Sequence, residues 1–486
     1  MSEPEPGDPV DPLAELLRAL GGGGGQVPDL QSLFAAMGAP GAGLDPAMLA
    51  GLLGQMQAML AGSGDGPVNW TVAHDVARAT ASAADPSAPV PVGQLAPTRA
   101  PMGFSVPQGT DPSVGAVAER EVSEALRTAD LWLDRVVDLP SVTARTFAWS
   151  RAQWVESTLP VWKGVIEPVA ARVSEAMTQV MTTQAPEELR GVMASALPML
   201  RSMGGAFFGA QAGQALGQLA HEVVGGHDTG LPLLPAGQAA LLPVNVAALG
   251  EGLELPIDEV RLYLALREAA AARLFTSATW LRGHLLAAVE AYARGIRIDV
   301  EHLEEAVRDL DPTDLDGLRE SLASGLFETR TTPEQDAALA RLETVLALVE
   351  GWIDEVVHAA ASGSLPHADQ LREVIRRRRA AGGPAEHTFA TLVGLQLRPR
   401  RLREAAQVWA AIGAARGVPG RDALWAHPDL VPGAEAFADP DAYAASLQEA
   451  GEADAAMDAA LDALLSQARE EGGDADPEPR EEPGRD

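Results

Sequence analysis

The chain contains no cysteine. Disulfides and thiolate metal sites are therefore excluded, and any zinc would have to be held by histidines and carboxylates. Lysine is nearly absent: Lys163 is the only one, and arginine supplies the rest of the positive charge. We attribute that bias to coding composition. Positive charge is itself short, with 36 Lys and Arg against 68 Asp and Glu and a formal net charge of −32. A surface this acidic repels phosphate backbones and anionic membranes, so neither nucleic acid nor membrane is an expected partner. No clean apolar run reaches about 20 residues, the length a helix needs to cross a bilayer. The opening MSEPEPGDPVDP has no basic or apolar stretch, so it does not read as a signal peptide, and the expected location is the cytoplasm. Aromatics make up only 4%, while 47% of residues are apolar and many of these are alanine. Alanine favours helix, so the composition points to a mainly α fold with a sizeable core.

Local signals divide the chain into three parts. Residues 1–67 form an arm rich in Gly, Pro and Met, with a GGGGG linker at 21–25 and an amphipathic piece, LDPAMLAGLLGQMQAML, at 44–60. That piece suits either a marginal helix or a docking helix for a partner. The glycine run lacks the Gly-Lys-Ser/Thr context of a nucleotide loop. Residues 68–440 form the expected helical domain, interrupted by a Pro/Ser-rich loop at 85–112. Residues 441–486 are expected to be an acidic, largely disordered tail.

Within the domain, apolar spacing predicts helices at 69–84, from Ser113, 143–157, 159–181 and 186–203. More follow at 256–275, 280–294, 300–308, 333–361, 368–381, 384–397 and 399–415. Residues 232–246 are expected to be irregular and to cover the core. A small hairpin near 295–300 is the most strand structure anticipated. Gly205, Gly209, Gly213 and Gly217 stand four apart, so a helix through them has one smooth face that admits a close neighbour. Arg201, the glutamines and His221 place that helix in a protein core rather than a membrane.

Two stretches carry candidate chemistry. The first is VRLYLALREAAAARLFTSATW at 260–280, an alanine-rich helix in which Glu268 is the acidic group. The second is LETVLALVEGWIDEVVH at 342–358, where Glu350 and Asp354 share a helix face beside an apolar run. A buried carboxylate there needs a partner. Other groupings are weaker. His221-Glu222 and His227 are separated by a helix-breaking Gly225-Gly226. His358 is four residues after Asp354 and could pair with it. His74, His284, His302, His367 and His427 are dispersed, and His387 lies near a helix start. The arginine runs at 376–379 and 398–403 suggest nucleic acid, but the surrounding acidity favours pairing with acids inside the domain.

These segments, with WLRGHLLAAVEAYARGI, LREVIRRRRAAGGPAEHTFATLVGLQLRPRRLREAAQVW and RDALWAHPDLVP, resemble the actinobacterial zincin-like metallopeptidase family, often described simply as hydrolases. A related branch is associated with coenzyme F420 biosynthesis. The resemblance runs from about Asn69 to about Pro440 and implies a zincin-like multi-helix single domain. It also implies a zinc site on an H-E-x-x-H helix, where two histidines four apart reach one ion and the glutamate acts on metal-bound water. In this chain Arg267 occupies the first histidine position, Glu268 keeps the glutamate, and Ala271 occupies the second. Glu350 matches the third metal ligand and Asp354 the carboxylate behind it.

Arginine and alanine cannot bind Zn²⁺, and Glu268 with Glu350 falls short of the usual three protein ligands. We therefore expect Arg267 to place its guanidinium where the metal charge would sit, against Glu350, Asp354 or both. Two readings follow. One is a family member with a degenerate zinc site that binds a peptide or protein partner with little or no proteolysis. The other is an active zinc hydrolase with Glu268 as general base.

Overall fold

A computed structural model describes residues 66–87, 111–141, 145–184, 190–294, 332–382 and 401–472. The helices predicted at 300–308 and 384–397, the hairpin near 295–300 and the 44–60 piece lie outside these. The described residues are mostly helical, as composition and spacing imply. In chain order they form α1 (Trp70–Ala81), α2 (Ala116–Leu133), β1 (Arg145–Ala148), α3 (Arg151–Gln184), α4 (Arg190–Glu222) and β2 (Gln238–Leu241). Then come α5 (Pro243–Gly250), α6 (Ile257–Ser277), α7 (Trp280–Arg294), α8 (Pro333–Ala361), α9 (Ala368–Ala380), α10 (Leu402–Asp422) and α11 (Pro440–Gly472).

Local chemistry sets several ends. Asn69 caps α1 by accepting from the backbone N–H groups of Thr71 and Val72. Thr332 and Gln335 make a reciprocal capping box at the start of α8, with Pro333 at its first position. The glycine face of α4 receives α1. A Cβ on Gly213 would lie 2.5 Å from the Ala73 carbonyl oxygen and 2.7 Å from the Val76 Cβ. Gly209 and Gly217 meet Asn69 and Thr80 in the same way. Asn69 N–H also donates to the Gly205 carbonyl at 2.7 Å, so the two backbones touch directly.

Three expectations need correction. The segment predicted as a helix over 143–157 begins instead as strand β1, and the segment expected to be irregular at 232–246 contains β2 and α5. The two strands pair in parallel, Arg145 with Gln238 through Ala148 with Leu241. Four residues are too short to show a period of two, and QAAL is apolar on both faces because three of its residues are buried. Finally, α11 runs through residues expected to belong to a disordered tail. Its start packs through Ala444, and beyond it Met457, Leu461, Leu464 and Leu465 are exposed. Alanine-rich spacing drives that helix despite its acidity.

The core sits where α6 and α8 cross the domain. α6 is buried continuously from Tyr263 to Leu274 and α8 from Leu346 to Asp354, charged residues included. Arg273 clamps α6 to α2, donating through Nε to Asp130 Oδ1 at 2.8 Å and through Nη2 to Asp134 Oδ1 at 2.6 Å. Asp422 holds α8 from the other side by accepting from Trp352 Nε1 at 2.9 Å and from Arg421 Nε at 2.7 Å. These anchors fix the two helices that carry the candidate site.

Candidate functional site

Tyr263, Arg267 and Ala271 are spaced four apart on α6, and Glu350 and Asp354 four apart on α8, so each set forms one face. The faces meet. Arg267 Nη2 donates to Glu350 Oε2 at 2.7 Å. Both side chains are buried, with 8% and 3% exposed. Burial lowers the Arg267 pKa, but Glu350 together with Tyr263, Asp354 and Asp228 outweighs that and raises it above its ordinary value.

Glu350 has a second cation. Arg379, at the end of α9, reaches its Oε1 at 3.1 Å. The same arginine donates to Asp228 Oδ1 at 3.1 Å, and Arg378 donates to Asp228 Oδ2 at 2.9 Å. Arg378 also bonds the Glu222 carbonyl at the end of α4. Burial would raise the Asp228 carboxyl; the two guanidinium groups and the Val224 backbone N–H together outweigh it and hold the group below its ordinary value. Three guanidinium groups therefore share two carboxylates.

Asp354 is separate. Its oxygens accept from Arg372 Nε at 2.9 Å and from Arg376 Nη2 at 2.7 Å, and Arg267 does not reach it. Burial again works upward on this carboxyl, and Arg376 and Arg372 bring it below its ordinary value. The run at 376–379 is thereby absorbed by acids, since Arg377 pairs with Glu373 at 2.9 Å. Arg403 joins Glu373 at 3.0 Å, and Arg401 pairs with Glu404.

Glu268 points to a different set of partners. Its Oε1 accepts from His227 Nδ1 at 2.9 Å and from the Ala240 backbone N–H at 3.0 Å. Its Oε2 accepts from the His227 backbone N–H at 2.9 Å. The loop after α4 makes this possible by adding to the edge of β2: Gly226 N–H donates to the Ala240 carbonyl and Leu242 N–H to the Val224 carbonyl. Glycine is required where the loop passes the carboxylate, because a Cβ on Gly225 would sit 2.6 Å from Glu268 Oε2 and one on Gly226 would sit 2.9 Å from Oε1. His227 rests against Phe275, with ring centroids 5.3 Å apart.

A cleft of about 20 Å³ opens among these groups, room for one or two water molecules. Its polar wall is His227, Asp228, Arg267, Glu268, Glu350 and Arg379, and Ala271 lines it without filling it. Sequence reasoning singled out four of these residues and missed three. Asp228 and Arg379 gave no pattern of their own. His227 was grouped with His221 and Glu222, but His221 lies 3.0 Å from the Thr80 carbonyl oxygen, away from His227. His358 turns to Asp369, at 3.7 Å, rather than to Asp354.

The model of zincin-like metallopeptidases matches residues 68–444. The chain belongs to that family. A crystal structure from Chloroflexus aurantiacus, described as that of a candidate hydrolase with a novel fold, shares the fold of this family member. Its TM-score is 0.52 at 19% identity, and the match covers 78% of this chain and 98% of that one. No curated protein matches.

Zinc is the cofactor the family implies, and the residues present do not fit it. Ala271 has no donor atom. Both oxygens of Glu350 face guanidinium groups that would repel a divalent cation. Glu268 Oε1 has both its lone-pair sites engaged by N–H donors, which leaves little capacity to work on a metal-bound water. Among the described residues no group of three or more His, Asp and Glu side chains is arranged around a possible metal position.

Proposed function

We propose that this chain is a metal-free member of the zincin-like family that binds a peptide or protein partner without cleaving it. The observation that carries the reading is the clamp on Glu350: Arg267 at 2.7 Å and Arg379 at 3.1 Å take both oxygens of the one acid that matches a zinc ligand. A guanidinium cannot be deprotonated in a protein, so this positive charge persists at every working pH. Hydrolysis through Glu268 would need a metal-bound water beside it, and the ligands for that metal are replaced.

Family membership favours the alternative, an active zinc hydrolase with Glu268 as general base. One measurement separates the two. Tag-free protein, purified without chelator, is assayed for bound zinc and for cleavage of a fluorogenic peptide library. We expect zinc well below one per chain and no turnover. One tightly held zinc per chain, with cleavage abolished in Glu268→Gln, would overturn the proposal. The pairing of the arginine runs with acids and the net charge of −32 favour a protein or peptide over a nucleic acid as partner.

A further inference from the structure

The clamp that bars a cation leaves donors over. Arg267 and Arg379 both line the cleft and are 7% and 5% exposed. Arg267 Nη1 and Arg379 Nε are each buried with no hydrogen-bond partner among the described residues. An unmet buried N–H on a charged group costs more than a neutral one, so both call for an acceptor. The nearby carboxylates are already taken: Arg267, Arg378 and Arg379 share Asp228 and Glu350 between them. Glu268, the other acid of the wall, is satisfied separately by His227 and two backbone N–H groups.

From these orphaned donors we propose that the cleft binds a small oxyanion of the carboxylate class, seated between Arg267 and Arg379. Carboxylate geometry matches the paired N–H groups of guanidinium. His227 forms another wall of the cleft, with its Nδ1 committed to Glu268. The space beside Ala271 admits a carboxylate group but not a peptide backbone, so only the head of a larger ligand would enter. The missing second histidine thereby acquires a consequence: with no side chain beyond Cβ at position 271, the anion has room.

This inference rests on the metal-free reading, and the test keeps the two apart. Bound zinc is first measured on the tag-free full chain. Thermal melting is then followed in sodium acetate against sodium chloride at matched ionic strength, and with a short peptide ending in a free carboxylate against the same peptide amidated. The Arg379 Nε–H resonance is followed in selectively labelled protein. With zinc absent, acetate should raise the melting temperature saturably and shift that resonance. The free-acid peptide acting more strongly than acetate, with its amide inert, would identify a chain terminus as the source; equal action would identify free carboxylates. In Ala271→Leu, which fills the cleft without touching a charge, apparent acetate affinity should fall about tenfold, or ~1.4 kcal/mol. If that variant does not fold, the wild-type resonance decides alone. No saturable shift in zinc-free protein overturns the oxyanion site only; stoichiometric zinc overturns the reading beneath it.

Discussion

Removing the two partners of the buried clamp one at a time and together tests whether they are coupled as the structure requires. Arg267→Met leaves Glu350 with Arg379 at 3.1 Å, so one carboxylate oxygen keeps its cation. Breaking a buried ion pair costs about 3–5 kcal/mol when a charge is stranded, and this variant should fall below that range, near 2 kcal/mol. Glu350→Leu strands Arg267 in a site with 8% exposure, since Glu350 is its only ion-pair partner among the described residues. It should cost about 4 kcal/mol. The double variant removes the stranded charge together with its partner and should cost less than Glu350→Leu alone. The implied coupling is roughly 3 kcal/mol, at the upper end for contacting residues. Unfolding entropy of about 2.1 cal/mol/K per residue converts 4 kcal/mol into a fall in melting temperature of about 5 °C for a domain of this size. Urea and thermal unfolding, followed by the fluorescence of the buried Trp352 and Trp409, would measure all four proteins. Additive costs, to within about 0.5 kcal/mol, would refute the reasoning, because independent sites add and a mutual clamp does not.

Three further outcomes are expected. Gly213→Ala drives a methyl group to 2.5 Å from the Ala73 carbonyl, and the α1–α4 contact should lose about 1–3 kcal/mol in thermal melts; an unchanged melting temperature would contradict the close approach. Asp228 and Asp354 both have folded-state pKa values below their ordinary 3.8, so the unfolded chain takes up their protons first as pH falls. The stability they confer is complete above that value and is lost below it, as pH drops through the depressed folded values. Asp354→Asn should flatten that acid limb of the pH–stability curve, and an unaltered limb would place the acid sensitivity elsewhere. Restoring the motif with Arg267→His and Ala271→His should give zinc binding detectable by elemental analysis, with Glu350 as the third ligand; failure to take up any metal would show that more than those two positions bars it.

The helices were largely legible because their signals are local. Pro333–Ala361 begins at a proline with Thr332 before it, and its predicted bounds agree with those observed. The glycine ladder announced a close neighbour, although nothing local identified it as α1. β1 and β2 were illegible for the complementary reason. Each has four residues, and what makes them strands is their pairing across the chain, Phe147 beside Ala240. The helix break expected between residues 157 and 159 also failed, because α3 continues through Pro160. α10 passes Gly417 with a non-helical backbone, so there the break is real.

The site was legible only along its helices. Spacing of four placed Arg267 with Ala271 and Glu350 with Asp354, because helix geometry alone fixes such pairs. It could not say which acid Arg267 would meet. That choice depends on the register between α6 and α8, set by anchors whose acids, Asp130 and Asp422, lie far from either motif in sequence. Nor could it find His227, which reaches Glu268 because two glycines let the loop lie along β2. The arginine run illustrates the limit most clearly. In sequence, Arg376–Arg379 is one basic patch. On α9 its members turn to different faces: Arg376 serves Asp354, Arg377 serves Glu373, and Arg378 and Arg379 serve Asp228. Only Arg379 continues to Glu350. A metal ion would satisfy such acids from one point, whereas guanidinium groups must arrive from separate backbones in fixed directions, and each brings more donors than one carboxylate can accept. Replacing the metal charge by arginine therefore leaves unspent N–H groups beside an empty histidine position, which is the physical origin of the proposed oxyanion seat.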